Sequence, residues 1–153
     1  MFPFYYLFVF FIAEVLIFIL FLSFLYLSFK KLKKSDLFSL GLLGSLFAFL
    51  IAEVTKSVLP ISRPQNPLLG FREGSSFPST HSSVVFALAT AVYLVDKKLG
   101  YLFYIGALLV ALGRVLGGVH SILDVSAGLI LGVLCTYLIY KYSVHLIFGK
   151  RKK

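Results

Sequence analysis

The sequence predicts an all-α fold: a polytopic transmembrane helix bundle of about five spans. Three observations predict it. Of 153 residues, 59% are hydrophobic and 17% aromatic, well above the usual range of water-soluble domains. The apolar residues gather into runs of roughly 20, the length at which a helix crosses a bilayer. The charges, net +9, fall between those runs, where a membrane surface accounts for them better than a nucleic acid does. By length the chain is read as a single domain, residues 1–153.

The first span is read at about Phe4–Phe29. It is too long for a cleaved signal peptide, lacks a basic leader and has no small-x-small cleavage site, so it is expected to stay. Its Phe and Tyr side chains read as lipid-facing bulk and interfacial belt. Glu14 stands in the middle of it and is a functional candidate by default; a polar contact between helices is an equal reading. The second span is read at about Leu37–Thr55. The third, about His81–Val95, is short, and Ser79 and Thr80 can extend and cap its start. The fourth is read at about Leu99–Leu116 and the fifth at about Ile122–Tyr140. Cys135, the single cysteine, reads as a small buried hydrophobe, which excludes an internal disulfide and a cysteine-based metal cluster.

The basic residues orient the stack. Lys30, Lys31, Lys33 and Lys34 follow the first span, and Lys97 and Lys98 separate the third from the fourth. Lys141, Lys150, Arg151, Lys152 and Lys153 follow the fifth. With five spans these clusters fall on one side, which the positive-inside rule makes cytoplasmic. The C-terminus is then cytoplasmic, where the basic loops meet anionic lipid head groups, and the N-terminus is outside. The opposite side receives Lys56, Arg63, Arg72 and Arg114. A basic residue on the disfavoured side is retained for a task. Arg72 and Glu73 read as a loop ion pair, and His145 as interfacial.

Under this topology Lys56, His81, Arg114, His120 and Asp124 all sit at outward span ends. Residues 56–80 form the one long loop, and loops of this length are often functional; its prolines are expected to stiffen it. Catalysis of phosphoryl transfer is mostly positioning and charge neutralisation. Lys56, Arg63 and Arg114 supply cations, the arginines as planar forks that suit paired phosphate oxygens. Ser79 and Thr80 open a helix N-terminus, where anions bind readily. His120 and Asp124, spaced i, i+4, share a face on a helix, so the carboxylate can orient the ring as nucleophile. His81 is left to protonate the leaving oxygen and then to activate water. Each residue alone has a plainer reading. Lys56 suits a snorkelling lysine, which Glu53 can pair; Asp124 suits a helix N-cap; His120 suits an interfacial histidine. All of these holding together is the less economical account.

Lys56-x6-Arg63-Pro64, Pro78-Ser79-Thr80-His81 and Gly113-Arg114-x5-His120-x3-Asp124 resemble the three signature motifs of the phosphatidic acid phosphatase type 2 superfamily. Those motifs are written KxxxxxxRP, PSGH and SRxxxxxHxxxD. Thr80 replaces a glycine, adding bulk, and Gly113 replaces a serine, removing one hydroxyl able to bind phosphate. Members often have six spans where five are read here. The resemblance implies a helical, metal-independent membrane lipid phosphatase working through a phosphohistidine. By motif position His120 is then the nucleophile, Asp124 its partner and His81 the general acid. Lys56, Arg63, Ser79, Thr80 and Arg114 hold the phosphate.

No cofactor and no metal are expected. The outer side offers only Glu73 and Asp124 as carboxylates, too few for a two-metal site. The expected reaction is hydrolysis of a terminal phosphate at the outer leaflet of a bacterial cytoplasmic membrane. Substrate candidates are lipid A 1-phosphate, phosphatidylglycerophosphate, undecaprenyl diphosphate and phosphatidic acid. The alternatives are a lipid-to-lipid phosphotransferase on the same site and a non-enzymatic subunit that binds anionic lipids.

Overall fold

In a bilayer every backbone N–H and C=O must find its partner within the protein, so an apolar run of this length folds as a helix. The computed structural model describes residues 2–31, 35–70 and 73–149, with side chains described for residues 4–29, 38–70 and 73–142. The first span comprises α1 (Phe2–Phe10), a π-helical turn (Phe11–Val15), α2 (Leu16–Tyr26) and a second π-helical turn (Leu27–Lys31). There follow α3 (Ser35–Val58), α4 (Thr80–Val95), α5 (Lys97–Leu116) and α6 (Ile122–Gly149). The stretches Phe4–Phe29, Phe38–Val58, Lys97–Leu116 and Ile122–Tyr142 are long and apolar enough to cross a membrane. Helix α4 is shorter, as its run of apolar residues foretold.

Helix α4 is the centre of the bundle. It packs against α3, α5 and α6, and Ser82, Ser83 and every residue from Val85 to Val92 are buried. Its small side chains let neighbouring backbones come close, which in lipid is the main source of helix affinity. Helix α6 answers with glycines one turn apart. A Cβ at Gly128 would stand 2.7 Å from Ser79 O, and one at Gly132 would stand 2.3 Å from Ser83 O. Thr136 Oγ donates to Ala87 O at 3.2 Å, spanning the same interface. The outer faces carry exposed Phe18, Leu22, Leu102, Ile105, Ile130 and Leu134, a surface that a bilayer solvates.

Two connections position the site. Between α4 and α5 the linker is Asp96 alone, whose side chain caps α5 by accepting from Leu99 N at 3.1 Å. Lys97 and Lys98, read from sequence as a separating loop, are instead the exposed first residues of α5. The long loop after α3 folds back on itself. Ser75 Oγ donates to Leu59 O at 2.8 Å, and Ser76 N donates to Ile61 O at 2.8 Å. Leu69 N donates to Gly117 O at 3.2 Å, which ties the loop to the end of α5. Serine cross-ties therefore fix a loop for which proline stiffness was expected. Arg72, Lys33, Lys34, Lys150, Arg151, Lys152 and Lys153 lie outside the described residues, as do the side chains of Lys30, Lys31 and His145.

Gly132→Leu should separate α6 from α4 and cost about 1–3 kcal/mol, the usual penalty of overpacking. Thermal unfolding in detergent checks this, with lipid-facing Leu134→Ala as the control expected to change little; an unaltered Gly132→Leu protein would contradict the packing described.

Candidate active site

Antiparallel neighbours put the end of α3, the start of α4, the end of α5 and the start of α6 at one end of the bundle. Backbone bonds lock these ends together. Ser79 N donates to Asp124 O at 2.9 Å, and Arg114 O accepts from Val119 N at 3.2 Å and His120 N at 3.3 Å. Seven of the eight residues singled out for phosphate chemistry sit on these ends and the turn between α5 and α6; Arg63 reaches them from the long loop.

His120 lies just before α6 rather than on it, so the shared helical face expected from the i, i+4 spacing does not form. Its contact with Asp124 arises from helix capping. Ser121 is the N-cap: its Oγ accepts from Asp124 N at 3.2 Å, while Asp124 Oδ2 accepts from Ser121 N at 2.7 Å. This reciprocal capping box fixes the carboxylate 3.6 Å from His120 Nδ1. Asp124 is thus the third residue of α6, not the N-cap itself. The separation exceeds a hydrogen bond, but such contacts commonly tighten when a substrate is bound.

The other ring nitrogen faces the cations. Arg63 Nη1 stands 3.5 Å from His120 Nε2 and donates to Val119 O at 2.9 Å, and Nη2 donates to Ser75 O at 3.1 Å. Arg63 therefore clamps the long loop onto the turn that carries His120. Burial pushes the imidazole down from its ordinary 6.5 to about 3, and Arg114, Arg63, Lys56 and His81 add to the shift. The ring is neutral at pH 7. A proton on Nδ1, facing Asp124, leaves the Nε2 lone pair towards the Arg63 guanidinium.

Lys56, in the last turn of α3, donates to Thr80 Oγ and, at 2.7 Å, to Glu53 Oε1. Thr80 Oγ donates to the same Glu53 oxygen at 2.7 Å. The residue that replaces a motif glycine has thus become the strut between α3 and α4. Ser79 is the N-cap of α4, fully buried, and its side chain accepts from Ser82 N. Its hydroxyl is committed to the cap, which aims the helix N-terminus at the site. Pro78 follows a cis peptide bond from Phe77.

Arg114 is the largest fully buried side chain among the described residues. It is ion-paired with Glu14, whose other oxygen stands 3.6 Å from His81 Nε2. The motifs do not include Glu14. Its signal was the lone carboxylate in a 26-residue apolar stretch. Among the described residues no group of three or more His, Cys, Asp or Glu side chains is arranged to hold a metal ion.

A bundle of membrane-spanning helices that gathers buried Arg114 and the half-buried Lys56 and Arg63 with two imidazoles at one end is the arrangement of a membrane protein suited to handling phosphate. The PAP2 superfamily profile matches residues 42–147, and the chain belongs to that superfamily. BcrC of Bacillus licheniformis, a bacitracin transport permease protein by name, is 28% identical over 150 residues. That match covers 92% of this chain and 72% of the relative. Undecaprenyl-diphosphatase BcrC of Bacillus subtilis (strain 168) is 26% identical over 104 residues, 67% of this chain but only 54% of that protein. The crystal structure of Aquifex aeolicus LpxE superposes with a TM-score of 0.77 over 93% of this chain and 88% of its own, at 24% identity. A transmembrane PAP2-type phosphatidylglycerolphosphate phosphatase from Bacillus subtilis gives a TM-score of 0.73 over 92% and 77%, at 26% identity. The chain is therefore an integral membrane protein of a phosphatase family.

The depressed His120 pKa has a definite sign in stability. The unfolded imidazole takes a proton near pH 6.5 and the folded one only near pH 3, so folding stability falls as pH drops between those values. One proton gives a slope of about 1.4 kcal/mol per pH unit. His120→Asn should flatten the stability–pH curve between pH 6 and pH 4 by up to that amount; an unchanged slope would contradict the buried neutral ring.

Proposed function

We propose that the chain is a lipid phosphatase that removes a terminal phosphate from a membrane lipid through a phosphohistidine on His120. The observation that carries this reading is the His120 pocket. A buried neutral imidazole has Asp124 3.6 Å from Nδ1 and the Arg63 guanidinium 3.5 Å from Nε2, and its backbone N–H donates to the carbonyl of buried Arg114. A nucleophile needs its lone pair free and its other nitrogen held; a phosphate needs cations around its oxygens.

In the proposed reaction Nε2 of His120 forms a bond to phosphorus while the bond to the leaving oxygen breaks. That oxygen takes a proton from His81. His81 then removes a proton from water, whose oxygen bonds to phosphorus as the P–N bond breaks, and inorganic phosphate leaves. Asp124 balances the charge on the phosphorylated ring, and Lys56, Arg63, Arg114 and the α4 N-terminus neutralise the phosphoryl oxygens. Each step closes without a metal.

The activities named for the relatives make undecaprenyl diphosphate the first substrate to test and phosphatidylglycerophosphate the second, followed by phosphatidic acid and lipid A 1-phosphate. A site built from helix ends suits a substrate that arrives sideways, its tail still in lipid. By the positive-inside argument these ends face the outside of the cell, which puts the reaction at the outer leaflet.

Purified protein should release inorganic phosphate from at least one of these lipids. His120→Ala should lower turnover by about 10³-fold or more, the scale on which removal of a nucleophile acts. Appreciable residual turnover would rule His120 out as nucleophile. Vanadate should inhibit and EDTA should not; loss with EDTA and recovery with magnesium would contradict the metal-free route. Labelled lipid separates the rivals. Phosphate appearing on a second lipid marks a phosphotransferase, and release no greater than a detergent blank marks a non-enzymatic lipid-binding subunit.

A further inference from the structure

Glu14 lies upstream of the residues that match the family, 42–147, and on the span that carries none of its motifs. Yet it touches two motif residues at once. Oε1 accepts from Arg114 Nη1 on α5, and Oε2 stands 3.6 Å from His81 Nε2 on α4. The carboxylate is mostly shielded, with its side chain 18% exposed against 2% for Arg114.

Two backbone features bring it there. Glu14 sits in the π-helical turn Phe11–Val15, a widened turn that shifts the register of the side chains around it and recurs at functional sites. That turn lies directly on α5 at Gly113. A Cβ on Gly113 would stand 2.7 Å from Ala13 N and 2.8 Å from Ile12 Cγ1. The first of these is a backbone atom, so the first span would have to move. The third motif's serine is missing here, and its place is taken by the backbone that carries Glu14.

The geometry points to Glu14 as a positioning residue for His81, with Arg114 anchoring one carboxylate oxygen so that the other is aimed at the imidazole, and with Gly113 as the space that admits it. This inference rests on the phosphatase reading above. An imidazolium held on one edge by a carboxylate offers its second N–H to the leaving oxygen. When His81 later takes the proton of the attacking water, the positive ring re-forms beside the same carboxylate. Glu14 itself gains and loses nothing over the cycle. The arrangement parallels Asp124 and His120: each imidazole has a carboxylate on one side.

The test is a double-mutant cycle on the lipid phosphate that the wild-type protein hydrolyses fastest. Glu14→Gln, which keeps the shape and removes the charge, should lower kcat by about 10²-fold, within the range of general acid–base catalysis. KM should stay within about threefold, and Glu14→Asp should recover part of the loss. In a His81→Ala background the same Glu14→Gln change should cost less than about twofold, because its effect passes through His81. A full, additive loss in that background, or wild-type kcat in Glu14→Gln, overturns the inference. Where Glu14→Gln does not give folded protein, Gly113→Ala keeps the carboxylate and its charge but displaces the span that carries it. It should lower kcat in the wild-type background and not in the His81→Ala one, and a loss in both overturns the inference. A wild-type protein that releases phosphate from no lipid defeats the phosphatase reading itself, a separate outcome.

Discussion

A guanidinium with almost no access to water is the constraint on which the rest of this structure turns. A buried charge without a partner costs several kcal/mol, and removing one member of a buried pair typically costs about 3–5 kcal/mol. Arg114 meets that requirement through Glu14, so the first span is bound to α5 by charge as well as by packing. The same residue's carbonyl accepts from Val119 N and His120 N, shaping the turn that presents His120. One residue thus sets both the field and the fold of the site. The pair also holds that cation in place at this end of the bundle.

The remaining polar side chains do double duty in the same way. Asp124 caps α6 and faces the ring of His120 with one oxygen. Arg63 clamps the long loop and lies against Nε2. Thr80 braces α3 against α4 and meets Lys56. Site geometry and helix ends are fixed by the same bonds, so a small shift of one helix is felt across the pocket. The core behind it is correspondingly tight: the backbone of α6 lies close against α4 at Gly128 and Gly132, which leaves the site little freedom to drift.

Much of this was legible in the sequence, because hydropathy and charge are summed over long runs. The apolar runs became helices that begin within a few residues of where they were expected, including the short third, and the polar motif residues fell at one end; α6 alone overran its expected end, continuing past Tyr140 and through Lys141 to Gly149. What sequence spacing misjudged was local. The His120–Asp124 spacing suggested a shared helical face, whereas a capping box makes the contact from a turn. Lys97 and Lys98 suggested a loop, but Asp96 alone reverses the chain by capping α5. Glu14 was conspicuous as a charge in an apolar span, but its partners are 100 residues away in the case of Arg114, a pairing no periodicity records. Gly113 read as a lost hydroxyl; its meaning is the closeness of Ala13, which only three dimensions reveal.

The most direct measurement is to trap the proposed covalent intermediate. Lipid labelled with ³²P at its terminal phosphate is mixed with excess protein, quenched within milliseconds in alkali, where a phosphoimidazole survives, and the protein is digested. The account predicts transient label on the peptide that carries His120, decaying as inorganic phosphate appears. Label on a different peptide, or turnover with no protein-bound label at any time, would contradict it.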